Sequence, residues 1–522
     1  VNLHLNIRWM LVEGDYKAIE SQNDTAKDWR LMNFWMQNRS FPSPQAALQD
    51  FIKRPESWIR QPFRRTLLDE REMANPYIPN ARTFNVNEQG MLKEDVPTDG
   101  GVFPGNVINK HVRYRNWSFD VSVLRDSGLR FFNITYKSRL MIAEAGLEDT
   151  VTMYVSDTPF MQRMLSLESM YGVGAMWSEL SPGIDCPVDA VYLSVPMVPQ
   201  PYTGPKTILR GICLYESHAQ NYEGASRRFF TFSNPDSVVH GAPGYTTAER
   251  EPSLYVVGIT ALFNYQYSFV NIFSPAGIVS MYVLPTGYVH VEKVSTQQLP
   301  DERFGLISKV WGLQFMLHTH NYLFYLDLDV LDERNVAEEV EISGVGERSA
   351  EEDRDLKDSG FGISMNRRTL QYELDQEEFR GGDKVGEDVK TLPRLRRYRI
   401  CKGKAIDKHC LEVINTAALP SMFSEETTRS YAWVRKGIWI SRYHEHERSG
   451  SSIYNGVDLT DPVVDFTKFT SNNESMIDED LVVWANVGFC HIPSNEDFPH
   501  TSTHYSTFSV VVKPFNFFDA TP

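Results

Sequence analysis

Long apolar runs are missing from this chain. The longest candidates, such as Leu254 to Tyr265, are interrupted by Asn or Thr, and none reaches the roughly 18 residues a membrane helix requires. The expectation is a soluble protein with no membrane partner. Also missing are a Walker A loop, a G-x-G-x-x-G fingerprint, an H-E-x-x-H pair and a C-x-x-C pair, which removes nucleotide, zinc-protease and thiol-redox readings. Positive charge is in deficit: 52 Lys and Arg stand against 68 Asp and Glu, a net charge of −16 that argues against nucleic acid. Ordinary acidic solubility accounts for it. There is no internal repeat and no low-complexity segment.

What is present suffices for a large core. With 522 residues, 42% of them hydrophobic, the chain should hold more than one domain, or one large β domain and a smaller one. Residues 1–110 mix short apolar runs with Pro and Arg clusters, and Ala46 to Ile59 has a helical pattern after Ser43-Pro44, which suggests a small α+β domain. From Val112 the pattern turns to alternation, as in Trp117 to Leu124 and Leu129 to Tyr136. Residues 111–522 are therefore expected to form a mainly β fold, a large antiparallel β-sandwich. A charged stretch from Ala337 to Lys404, containing Glu351 to Asp355, reads as a solvated loop or arm.

Three sites in the second half then stand out: Asn264-Tyr265, His318-Thr319-His320 and His491. Histidines two apart on a strand share a face, so His318 and His320 can hold one metal ion, with His491 as a third imidazole. Three such nitrogens suit copper or zinc, copper binding the more tightly. The stretch Thr260 to Tyr267, the run His318 to Asp329 and the segment Asp480 to Pro499 resemble, in order and spacing, the copper- and topaquinone-dependent primary amine oxidases, particularly their fungal branch. The resemblance covers roughly residues 113–522. It implies copper on His318, His320 and His491, with Tyr265 as the precursor of the quinone. The substrates would be a primary amine and O2, the products an aldehyde, NH3 and H2O2, and the assembly a homodimer.

Further roles follow from the same resemblance. The family's catalytic base is an aspartate 14 residues after a tyrosine that contacts the quinone; here Tyr154 and Glu168 keep that frame with a carboxylate one methylene longer. Ala261 stands where the family usually has Thr, and Gln266 where it usually has Asp or Glu. Asp327, Asp329 and Asp480, with the carbonyls of Leu328 and Leu481, resemble the family's structural calcium or manganese site. A second H-x-H, His444-Glu445-His446, lacks a third ligand and reads as surface. Cys186 and Cys213 match a family disulfide, worth about 3 kcal/mol for a loop of that length, and Cys401 and Cys410 can form another. Cys490, the last of the five cysteines, reads as a small hydrophobe beside His491.

Sequons at Asn23, Asn38, Asn116, Asn133 and Asn473 fit a secreted glycoprotein. The chain opens on Val1 with neither initiator methionine nor signal peptide, which is read as a mature or trimmed form, secreted or in the lumen of the secretory pathway. The three departures, Glu168, Ala261 and Gln266, leave one alternative: a copper-binding homologue without turnover, structural or redirected to another copper-linked biosynthetic reaction.

Overall fold

The computed structural model describes residues 34–36, 39–53, 106–108, 110–155, 165–167, 171–198, 204–218, 225–230, 245–250, 252–293, 302–308, 311–344, 363–376, 395–403, 409–419, 421, 423, 425, 428–456, 458–498, 500–501 and 508–518. Glu168, Asn23, Asn38, the run Glu351 to Asp355 and most of residues 1–110 lie outside them. Within that first part, the helix spans Pro44–Lys53. Its start is set by the Ser43 hydroxyl, which accepts the Ala46 N–H at 3.1 Å, and by a proline at the first helical position.

Alternation along the chain produces the strands. In Trp117–Leu124 every second residue from Trp117 to Val123 is buried, because successive side chains of a pleated strand point to opposite faces. One sheet runs in the order Ile438–Arg442, Leu481–His491, His318–Asp327, Arg139–Tyr154, Gly128–Tyr136, Trp117–Leu124, His111–Tyr114 and Asn106–Ile108. A second has Lys206–His218, Pro252–Leu262, Tyr265–Phe273, Val279–Gly287 and Phe508–Phe515 side by side at its centre. All these pairings are antiparallel. The inner faces share one apolar core, in which Phe119 stacks on Phe273 at 4.3 Å between centroids and Tyr267 meets Tyr322 at 5.5 Å. The fold is the mainly β, antiparallel one expected.

Two features depart from the simple pattern. All of His318–Asp327 is buried, since its second face is covered: Leu323 and Tyr325 pack with Tyr431 and Trp433 of the turn Arg429–Arg435 and with Trp484. The charged stretch, read as a solvated loop or arm, supplies among its described residues strands Asn335–Gly344, Ile363–Thr369 and Leu395–Lys402 of the second sheet. Its charges neutralise one another across neighbouring strands, with Glu339 3.1 Å from Arg368, Glu341 3.3 Å from Arg396, and Arg399 2.9 Å from Glu412.

A buried ion cluster sits beside the histidine strand. Arg130, 2% exposed, pairs with Glu148 and lies 3.5 Å from Glu144, which Arg448 also reaches; Arg130 Nη2 donates to Ser127 Oγ at 2.9 Å. Its guanidinium faces the Tyr325 ring at 5.5 Å.

Candidate metal centre

The hairpin of Pro252–Leu262 and Tyr265–Phe273 pairs Leu262 with Tyr265, so Phe263 and Asn264 alone make its turn. Phe263 has φ +55°, the positive first position of a two-residue loop. Gly287 lies opposite Tyr265 with φ +120°, and a Cβ there would come within 2.2 Å of the Asn264 carbonyl oxygen, so the position requires glycine. That carbonyl accepts the Tyr288 N–H at 2.9 Å, while Asn264 Nδ2 donates to Tyr288 O at 2.7 Å and to Tyr154 Oη at 3.2 Å. The turn is thereby clamped, and Tyr265 projects towards the other sheet.

There, His318 is paired with His491 on one side and Tyr154 on the other. The ring of His318 lies 4.9 Å from both His320 and His491, and Tyr154 stacks on His318 at 4.4 Å. The Tyr265 hydroxyl is 2.9 Å from His318 Nε2 and 2.7 Å from His491 Nδ1, with its ring edge-on to His320 at 4.4 Å. None of these four residues is more than 7% exposed.

Proton counting shows what the cluster can hold. His318 Nδ1 lies 2.8 Å from the Met316 carbonyl, which only accepts, so its proton is on Nδ1 and Nε2 offers a lone pair. His491 Nε2 lies 3.2 Å from Asp497 Oδ2, which in the neutral ring leaves Nδ1 as a lone pair. One Tyr265 O–H can serve only one of them. His320 Nδ1 is held by Thr152 Oγ1 at 3.0 Å and Tyr267 Oη at 3.1 Å, and its buried Nε2 has no hydrogen-bond partner. Burial, then the neighbouring His491, lowers His318 to about 3, and burial holds His320 well below the ordinary imidazole range, so both are neutral at pH 7. Neutral imidazole nitrogens short of donors are what a divalent Lewis acid satisfies, and this donor chemistry suits copper. The three rings do not bring one nitrogen each within 4.8 Å of one another, so His320 and His491, which both neighbour His318, would have to draw together around an ion. Burial also raises the Tyr265 phenol far above its ordinary value, with Tyr154, Tyr322 and Asp497 acting in the same direction.

Thr152, Tyr267 and Asp497 escape the sequence reading. A period of two signals the first pair, since Thr152 precedes Tyr154 and Tyr267 follows Tyr265 by that step. Asp497 sits in the turn Asn495–Asp497, where no period applies. Burial acts to raise its carboxyl, yet hydrogen bonds from His491, the Ser494 N–H and Thr501 bring it down to about 2.

A second cluster lies at the far end of the histidine strand. Carboxylate oxygens of Asp327, Asp329 and Asp480 all fall within 4.8 Å of one another, and among the described residues this is the one such group of His, Cys, Asp or Glu. Buried Asp327 Oδ1 and Asp480 Oδ1 lack hydrogen-bond partners. Burial, then Asp480 and Asp329, raises Asp327 to about 8; Asp329 and Asp480 are each raised to about 6, burial again being the main cause. Leu328 and Leu481, the proposed carbonyl ligands, are buried beside them in the chain. Hard oxygens short of partners fit a hard cation. His446 is 80% exposed and His444 bonds Glu474 at 2.6 Å, so the second H-x-H is at the surface as expected. Both bridges, Cys186–Cys213 and Cys401–Cys410, are formed, and Cys490, half-buried, is a free thiol. Gln266, on a position where charge is usual in the resembling family, is exposed, so solvent screens the change.

Fold and site thus define a β-sandwich protein with a three-histidine centre facing a buried tyrosine. A model of the copper amine oxidase enzyme domain matches residues 106–522, and the chain belongs to the copper amine oxidase family. The chain is 27% identical to a copper-containing diamine oxidase of Mus musculus over 536 residues, covering 97% of this chain and 65% of that protein. To a putative copper-containing amine oxidase of Margaritifera margaritifera it is 29% identical over 423 residues, with 80% and 51% covered. The crystal structure of Aspergillus nidulans amine oxidase superposes with a TM-score of 0.65 at 21% identity, covering 95% of this chain and 62% of that one. The chain therefore spans between about half and two thirds of the length of these relatives.

Proposed function

We propose that this protein oxidises primary amines, RCH2NH2 + O2 + H2O giving RCHO + NH3 + H2O2, with copper on His318, His320 and His491 and a topaquinone derived from Tyr265. The observation that carries this reading is the Tyr265 hydroxyl held between His318 Nε2 and His491 Nδ1. When bound, copper activates O2, and the quinone supplies the electrophilic carbonyl that ordinary side chains lack. The protein's own part is orientation and proton handling: Asn264 and Tyr154 position the Tyr265 ring, and Glu168 is the base for the α-proton of the substrate. A phenylhydrazine titration of copper-loaded protein tests it. An intense visible band, with a stoichiometric adduct on the Tyr265 peptide, is expected; copper bound with Tyr265 unmodified would leave the copper-binding homologue without turnover. Where turnover exists, Glu168→Gln should abolish it.

Asp497 anchors the copper reading from outside the ligand set. Asp497→Asn should weaken copper binding by about 10- to 100-fold, since an outer carboxylate orients its histidine and raises its basicity. Competition against a chromophoric chelator measures this, and an unchanged affinity would remove Asp497 from the site.

For Asp327, Asp329 and Asp480, with the carbonyls of Leu328 and Leu481, we propose calcium or manganese. Their raised values mean that the cation-free folded state holds more protons than the unfolded chain between about pH 4 and 8, so its stability falls as pH rises through that window. A bound cation opposes this. Chelation with EGTA should therefore lower Tm on the order of 5 °C at pH 8 and far less at pH 5; equal shifts at both would count against a site there.

We propose four further features on the strength of the same resemblance. They are a 1–110 small α+β domain ahead of a 111–522 catalytic domain, a homodimer, membership of the fungal branch as a divergent member, and a secreted or secretory-lumen location. Two disulfides support an oxidising compartment. Asn116, Asn133 and Asn473 are exposed and available for glycosylation.

A further inference from the structure

Two of the ties that shape the aspartate cluster converge on the bridge Cys401–Cys410. Asp329 stands in the loop between the strands His318–Asp327 and Asn335–Gly344. Asn335, 1% exposed, clamps that loop: its Oδ1 accepts the Val330 N–H at 2.9 Å and its Nδ2 donates to the Asp332 carbonyl at 2.7 Å. Lys402 holds it from the neighbouring strand, pairing with the Asp332 carboxylate and donating to the Arg334 carbonyl at 3.0 Å. Asn335 adjoins Val336, and Lys402 adjoins Cys401. Val336, Cys401 and Cys410 are buried in one cluster, with Ile477 and Phe515 packed against it.

Asp480 reaches the site from the other side of the same cluster. Val336 is paired with Cys401 on one flank and with Ile477 on the other. The three-residue strand Ile477–Glu479 runs directly into Asp480. Its register against Asn335 and Val336 slips so that Asp478 is an extra residue, with φ +60°. A short bulged strand with a non-glycine residue in the left-handed region persists only where its surroundings hold it. Ile477, packed on the bridged cluster, is its apolar anchor. The segments that deliver Asp329 and Asp480 therefore rest on one disulfide.

We propose that the Cys401–Cys410 bridge is a redox control on the cation site: bridged, it fixes the loop and the bulged strand at ion-binding spacing, and reduced, it lets them separate. This rests on the reading of Asp327, Asp329 and Asp480 as a cation site. The reductant is a dithiol or a pair of thiols. Two electrons and two protons pass to Cys401 and Cys410, the S–S bond breaks, two S–H bonds form, and the reductant leaves as its own disulfide. Two thiols occupy more room than one bond between the same sulfurs, so in a packed cluster the change is passed to Val336 and Ile477. The strand ladders remain, and the loss falls on affinity.

Calcium and manganese, each titrated into the full chain against a chromophoric chelator, test this in oxidised protein, in dithiothreitol-treated protein and in Cys401→Ala/Cys410→Ala. Alkylation followed by peptide mass reads the state of each cysteine. Loss of the bridge should weaken binding by about 10- to 100-fold, the usual effect of disturbing what orients a ligand. Cys186→Ala/Cys213→Ala, whose bridge lies in a separate cluster with Leu180 and Val257, should bind as the wild type does. Dithiothreitol treatment of that control then reduces Cys401–Cys410 alone and gives the test with no substitution in the cluster. Equal affinity with Cys401 and Cys410 reduced would overturn the proposal, as would an equal loss in the untreated control. Hydrogen exchange reads the loop with no ion present: the Val330 amide should exchange about 10-fold faster once the bridge is reduced, and unchanged exchange would also count against it. Wild-type protein holding neither metal would overturn the cation reading itself, whereas wild-type binding that ignores the bridge would overturn this inference alone.

Discussion

Tyr265→Phe is expected to remove both the phenylhydrazine adduct and any amine turnover, while copper should still bind in stoichiometric amount. The substitution deletes one oxygen from a ring otherwise kept in place by Asn264, Tyr267 and His320, whose ring lies 4.4 Å away. Without that oxygen there is no phenol at this position to oxidise, since it is the Tyr265 hydroxyl that lies within hydrogen-bond distance of both His318 and His491. All three imidazoles remain, so the metal site keeps its donors. Copper-free Tyr265→Phe should lose about 1–3 kcal/mol, because a buried ring nitrogen loses its hydrogen-bond donor, and copper loading should recover most of it. Copper stoichiometry, adduct mass and melting with and without copper test these statements together. An adduct surviving the substitution would mean that another residue forms the carbonyl.

Arg130→Met should lower stability by about 3–5 kcal/mol, the cost of leaving a buried charge without its partner. The methionine matches much of the arginine stem in volume, so the loss comes from charge rather than from a cavity. Arg448 still reaches Glu144, but Glu148 loses its cation. Burial already raises Glu148 above the usual carboxylate range against the opposing pull of Arg130; removing Arg130 raises it further. A carboxyl whose folded value is raised costs stability once pH climbs above its unfolded value, so the variant should be worst near pH 8 and partly recover near pH 5. Adding Glu148→Gln removes the unpaired charge and should restore a substantial part of the loss. Thermal melts of the two single variants and the double variant across that pH range give the coupling directly. Additive effects would show that Arg130 acts through its stacking on Tyr325 and not through Glu148.

Much of the architecture was legible because strand periodicity is local. Trp117 to Leu124 announces its buried face by alternation, and the two-residue step puts His318 and His320 together without any knowledge of the partner strand. Where both faces are covered the signal fades: His318–Asp327 is buried throughout because Trp433 and Tyr431, more than a hundred residues away, roof it. The described parts of the charged stretch form strands for a related reason. Composition sees Glu338, Glu339 and Glu341 as solvated, whereas Arg399, Arg368 and Arg396 arrive on neighbouring strands and neutralise them.

By itself the sequence determined which residues are chemically equipped: the histidine pair, the lone His491, Tyr265, the three aspartates and the carboxylate in the frame of Tyr154. These are matters of side-chain type and short-range spacing. Only the tertiary structure decided that the Tyr265 hydroxyl lies within hydrogen-bond distance of both His318 and His491, that His320 Nε2 is left without a partner, that Asp497 holds His491, and that Phe263 is exposed on a strained turn. The reason is that hydrogen-bond satisfaction and burial are properties of packed surroundings, here of two facing sheets whose contributing strands lie up to hundreds of residues apart in the chain.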